Sequence, residues 1–290
     1  MSETTNRQVS SAIIYGIEDR PPFKEAFFAA LQHLLAIFVA IITPPLIIAG
    51  ALNLDLETTG FLVSMALFAS GVSTFIQCRR VGPIGTGLLC IQGTSFSFIG
   101  PIIATGLVGG LPLIFGVCMA AAPIEMIISR TFKYMRNIIT PLVSGIVVLL
   151  IGLSLIKVGI ISCGGGYTAM DNGTFATWEN LSIAALVLLS VLFFNRCGNK
   201  YLRMSSIVLG LCLGYGLAFA LGKVDMSALN VEMLMSFNIP QPFKYGVDFN
   251  VSSFIAIGLV YLITAIEATG DVTANSMISG LPIEGDSYLK

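Results

Sequence analysis

The chain has 290 residues, 55% of them apolar and only 11% charged, with a formal net charge of −1. Soluble domains carry about a quarter charged residues, so this composition, with a mean hydropathy of +0.88, excludes an ordinary soluble domain and points to an all-α polytopic membrane protein. The near-zero net charge argues against a nucleic-acid partner. One histidine, His33, and six cysteines without CxxC spacing give no basis for a metal site, a cofactor or a disulfide framework.

Residues 1–25 are polar, carry Arg7, Arg20, Lys24 and four acids, and lack the apolar core of a cleavable signal. They read as a cytoplasmic N-terminal segment, with the first span directing insertion. Runs of about 20 apolar residues suffice to cross a bilayer. Eight are predicted, at approximately 26–50, 59–77, 84–104, 107–129, 138–157, 181–195, 204–222 and 252–275. Basic residues test this count. With the N-terminus inside, the cytoplasmic segments hold 12 Lys and Arg and the outer loops hold 3, namely Lys157, Lys223 and Lys244. A miscounted span would scramble such a bias. The long outer loops 158–180 and 223–250 contain Gly164-Gly-Gly166 and Pro240-Gln-Pro242, which mark ordered turns.

In the first span, Pro44-Pro45 is expected to kink or end the helix. Gln32-His33 lies one to two turns inside the membrane, and His33 reads first as a hydrogen-bonded structural residue. The third span is anomalous. Residues 82–106 hold six glycines, two prolines and a Gln-Gly-Thr-Ser core. Irregular backbone is tolerated at membrane depth only where protein or water satisfies it. The expectation is a broken span: a short extended strand at about 86–92, then a half-helix starting near Thr94 or Ser95. Its N-terminus would aim free N–H groups and partial positive charge into the protein, as in transporters with discontinuous helices. The alternative is that small residues here serve only close helix packing. Gln92 offers an amide suited to the edge of a planar heterocycle; Phe96 and Phe98 read first as packing residues. Glu125, five residues before Arg130, is expected at the interface.

Glu267 closes the apolar run from Ser253 to Ile266, and Asp271 follows one helical turn later. A carboxylate at bilayer depth costs roughly 2.5–3.5 kcal/mol on insertion scales, so it persists only facing water, a partner or a ligand. Both acids share one helix face. Either the span ends at Ile266 and both lie among headgroups, or the helix continues toward Gly280 and Glu267 lies near the midplane. The absence of a breaker in Val272–Ile278 favours the second reading.

These features together resemble the nucleobase–ascorbate transporter (nucleobase:cation symporter 2) family, in its bacterial xanthine permease branch. The matching stretches are Ile17-Glu-Asp-Arg-Pro-Pro22, Gln32-His33, Ile91-Gln-Gly-Thr-Ser-Phe96, Ile139-Thr-Pro-Leu-Val-Ser-Gly145, Ile151-Gly-Leu-Ser-Leu-Ile156 and Glu267-Ala-Thr-Gly-Asp-Val-Thr-Ala274. The resemblance implies fourteen spans in two inverted repeats of seven. It further implies a core domain (26–129 and 251–290), a gate domain (130–222), and homodimers at full length in the bacterial inner membrane. It implies that Glu267, Ser95 and Phe96 touch a purine, that Asp271 is the acid one turn on, and that His33 supports affinity; Gln92 joins them by the argument above. On this reading the chain is an N-terminal fragment of a proton-coupled xanthine permease, containing the first repeat and one helix of the second. Carriers of uracil, urate or inorganic anions on the same fold, and a non-transporting truncated product, remain as alternatives. An intramembrane enzyme is disfavoured by the lack of a nucleophile–base pair.

Overall fold

A computed structural model describes Tyr15 and residues 19–79, 81–82, 84–135, 141–199, 202–203, 205–224 and 239–279. The expected N-terminal segment up to residue 14, residues 225–238 of the 223–250 loop and the 280–290 end lie outside the described residues. The elements are helices: α1 Phe23–Ala51, α2 Leu56–Arg79, α3 Ile99–Met135, α4 Pro141–Cys163, α5 Gly166–Asp171, α6 Trp178–Arg196, α7 Ser206–Ala220 and α8 Val251–Ile278. A 3₁₀ turn, Phe96–Phe98, leads into α3. Among the described residues five helical stretches are long and apolar enough to cross a membrane, in α1, α2, the Phe96–Ile128 stretch, α6 and α8. The second arm of α3 falls where the fourth span was expected. Helices α4 and α7 fall at the fifth and seventh, with α7 only 15 residues long.

Large apolar side chains stand exposed along these helices, among them Phe75, Leu149, Leu153, Leu188, Leu192 and Phe193. A soluble monomer does not present apolar surface on this scale, which suits helices that cross a membrane. With lipid as solvent, no hydrophobic gain drives one helix onto another, and close packing through small residues takes over.

The chain divides into two compact units. One comprises residues up to 23, 68–152 and 245–290; the other comprises 24–67 and 153–244. In the first, Leu113, Val117 and Ala121 recur at i, i+4 and i+8 on α3 and pack against Ile257 of α8, all nearly inaccessible. Gly116 is required there, because a Cβ would overlap the Asp248 backbone, whose N–H donates to Pro112 O at 2.9 Å. Helix α3 is two helices meeting at Gly109 and Gly110, the latter at φ 66° and ψ −161°, a region essentially reserved for glycine. Pro112 then opens the second arm, where a missing N–H does no harm.

In the second unit, α6 and α7 pack through Gly210 and Gly214, one turn apart and buried. A Cβ on Gly210 would meet Val191, and one on Gly214 would meet Val187. The loop after α4 is tied by Asn180, whose Nδ2 donates to Gly164 O at 2.9 Å and Thr174 O at 3.1 Å. Of the two outcomes expected at Pro44-Pro45, an end of the helix does not occur: α1 runs through both prolines to Ala51. Just before the prolines Thr43 Oγ1 donates to Val39 O at 2.6 Å, a bond of a side chain back to its own helix.

Candidate functional site

The site candidate lies wholly within the first unit, where the non-helical stretch 84–95 runs between α2 and α8. Gly85 (φ 94°) and Gly87 (φ 77°) make its entry turn. A Cβ on Gly85 would strike the Ile76 carbonyl, so only glycine lets the chain press against α2. No strand is present among the described residues; the one bridge pairs Val81 with Ile84. The short strand expected at 86–92 is therefore not formed here. A strand needs a ladder partner, and this backbone bonds instead to a helix. Gly87 N–H donates to Gln77 O at 2.9 Å, and Gln92 N–H to Thr74 Oγ1 at 2.9 Å. The Ser70 hydroxyl donates to Gln92 O, and Gln77 Nε2 to Thr86 Oγ1 at 2.8 Å.

Helical geometry begins at Ser95. Its backbone is extended, and its hydroxyl accepts from Ser97 N–H at 3.3 Å, an N-cap. Glu267 meets this end: Ser97 Oγ donates to Glu267 Oε2 at 3.5 Å, and the Ser95 hydroxyl also lies toward the carboxylate. Glu267 sits inside α8, which continues past Asp271 to Ile278. Asn275, a further turn on, donates through Nδ2 to Leu89 O at 3.0 Å. Glu267, Asp271 and Asn275 thus occupy i, i+4 and i+8 on one face, laid along the chain from Ser97 back to Leu89.

The structure brings Ser97 to Glu267 with Ser95 beside it; Gln92 and Phe96 lie on the same half-exposed stretch, in contact there with α2 through Gln92. The Gln92 amide reaches Cys90 O at 3.5 Å, a long bond that a better-placed acceptor can displace. Phe98 packs edge-on against Tyr261 of α8 at 4.9 Å between centroids, a packing role as expected. His33 belongs to the other unit; it is exposed on α1, and its Nδ1 lies 2.8 Å from Ala29 O. Glu125 is half-buried on the second arm of α3. Ser70, Thr74, Gln77 and Asn275 were missed at the sequence level. The signal available was the polar set Ser70, Thr74 and Gln77 at i, i+4 and i+7 along one face of α2.

An α-helical, multi-pass membrane protein with a polar site inside its apolar helices has the character of a transporter. Comparison places it further. Residues 24–290 match the model of the Permease family (Xan_ur_permease), and the chain belongs to that family, the nucleobase–ascorbate transporters. It is 46% identical over 289 residues to xanthine permease XanQ of Escherichia coli K12, covering 96% of this chain and 61% of that protein. It is likewise 46% identical over 292 residues to xanthine permease XanP of the same strain, covering 97% and 62%. Uric acid permease PucJ of Bacillus subtilis is 32% identical over 269 residues, covering 92% and 60%. The chain thus spans about three fifths of the length of these curated relatives.

Proposed function

We propose that this chain supplies the N-terminal part of a proton-coupled xanthine permease of the bacterial inner membrane, with the N-terminus cytoplasmic. The observation that carries this reading is the Glu267 carboxylate held at the helix start Ser95–Ser97 within an apolar helix pair. A carboxylate accepts from ring N–H groups, while Gln92 and the helix-start N–H groups can donate to the adjacent carbonyls of an oxopurine. Two relatives named as xanthine permeases support the substrate class. Asp271, one turn along α8 from Glu267, is the proposed proton-coupling partner, and His33 the proposed support from α1.

The reading extends to a broken third span, a core domain of 26–129 with 251–290, a gate domain of 130–222, and a fourteen-span inverted repeat that dimerises. A second reading, urate as substrate, is favoured by the likeness to the uric acid permease; an inorganic anion is disfavoured because Glu267 would repel it. The test is radiolabelled xanthine uptake in cells lacking their own purine permeases, comparing this chain with a version extended to the length of its relatives. Xanthine should accumulate with the longer form, and Glu267→Gln should reduce uptake to background at equal membrane abundance. Normal uptake by Glu267→Gln would remove this carboxylate from the mechanism, and urate uptake in place of xanthine would establish the second reading.

A further inference from the structure

The non-helical stretch before Ser95 has an unusual anchor. Backbone at membrane depth must have every polar group satisfied, and here α2 meets that need in place of a neighbouring strand. Ser70, Thr74 and Gln77 lie on one face of α2. Ser70 donates to Gln92 O and Thr74 accepts from Gln92 N–H, so both backbone groups of one residue are gripped by side chains one turn apart. Gln77 holds the entry, accepting from Gly87 N–H with its carbonyl and donating to Thr86 with its amide. From the other side, Asn275 donates to Leu89 O, two turns along α8 from Glu267. Ser73 provides an internal contrast. It lies between these residues in sequence, yet its hydroxyl donates to Ala69 O and Ser70 O within its own helix.

We infer that Ser70, Thr74 and Gln77 of α2, with Asn275 of α8, act as positioning residues that fix the depth and register of Gln92 and Ser95 against Glu267. They would thereby determine how closely the site discriminates among oxopurines without touching substrate. The physical reason is leverage. Gln92 is three residues from the Ser95 cap, so a shift of its backbone moves the amide and the helix start together. Two groups misplaced relative to a fixed carboxylate spoil a planar, multi-point recognition more than they spoil general binding. This inference rests on the proposed purine-carrier reading.

The test compares Thr74→Val, Ser70→Ala and Asn275→Leu with Ser73→Ala in the full-length protein. Readouts are membrane abundance, the KM and maximal rate of xanthine uptake, and inhibition by N-methylated xanthines and urate. Thr74→Val should raise KM about tenfold, the scale of one hydrogen bond to a buried backbone group. It should also flatten the analogue preference at unchanged abundance, while Thr74→Ser restores both and Ser73→Ala changes neither. Loss of maximal rate in proportion to abundance, with KM and analogue profile intact, would overturn the inference. A second readout is independent of substrate: alkylation of Cys90 by N-ethylmaleimide in protein whose other five cysteines are replaced. Release of the stretch should accelerate it in Thr74→Val about tenfold, and an unchanged rate overturns the anchoring role. If wild type takes up no xanthine yet the alkylation rate rises, the substrate reading fails and the anchoring stands.

Discussion

Asp55 shows how one side chain can be read and tested outside the membrane. It precedes α2, and its Oδ2 accepts from Thr58 N–H at 2.9 Å, the N-cap arrangement that satisfies one of the orphan donors of a helix start. That bond to the charged form holds its pKa below the ordinary 3.8. The folded-state value is therefore the lower one. The stabilisation is fully present above the unfolded value, near 3.8, and is lost as pH falls through the folded value. Thermal denaturation of detergent-solubilised protein should find Asp55→Ala below wild type at pH 7. The gap should close progressively below about pH 4, and a gap that persisted to low pH would remove the carboxylate as its cause. Other residues differed sharply in legibility. Glu267 was visible because a lone carboxylate in an apolar run has few explanations. Ser70 and Thr74 were not, because membrane serines and threonines commonly bond their own helix, as Ser64, Ser73 and Thr269 do here. Only the path of the facing chain separates the two uses.

At the scale of elements, the same limit explains where helices begin and bend. The non-helical stretch that ends at the Ser95 cap falls where glycine and proline accumulate around a polar core in the sequence. The third expected span ends at 104 and the fourth starts at 107, whereas the break in α3 occurs at Gly109 and Gly110. The α6–α7 contact went unrecognised, although Gly210-x-x-x-Gly214 carries the small-residue spacing that lets membrane helices approach. It gives a direct prediction. Gly214→Leu would force a side chain into Val187, and overpacking of this kind costs about 1–3 kcal/mol. The variant should show a lowered melting temperature in detergent. Gly216→Leu, on the same helix with nothing within 4 Å of its added Cβ, should not. Equal behaviour of the two would mean that the glycine contact contributes nothing to the packing.

At the scale of the whole molecule, the proposed coupling sets a thermodynamic bound that uptake can test. One proton entering across about 100 mV releases about 2.3 kcal/mol, and a pH difference of about one unit adds roughly 1.4 kcal/mol. With one proton per neutral purine the sum supports an accumulation of roughly 500-fold, at about 1.4 kcal/mol per factor of ten. In cells with a measured membrane potential and pH difference, the steady-state ratio of internal to external substrate should track the sum of the two and fall to about one with a protonophore. Asp271→Asn removes the second acid while leaving Glu267 and the Ser95 cap in place. It should preserve counterflow of labelled against unlabelled substrate while abolishing concentrative uptake. Concentrative uptake by Asp271→Asn at the wild-type ratio would place the coupling proton on another group, and loss of counterflow as well would assign Asp271 to substrate binding.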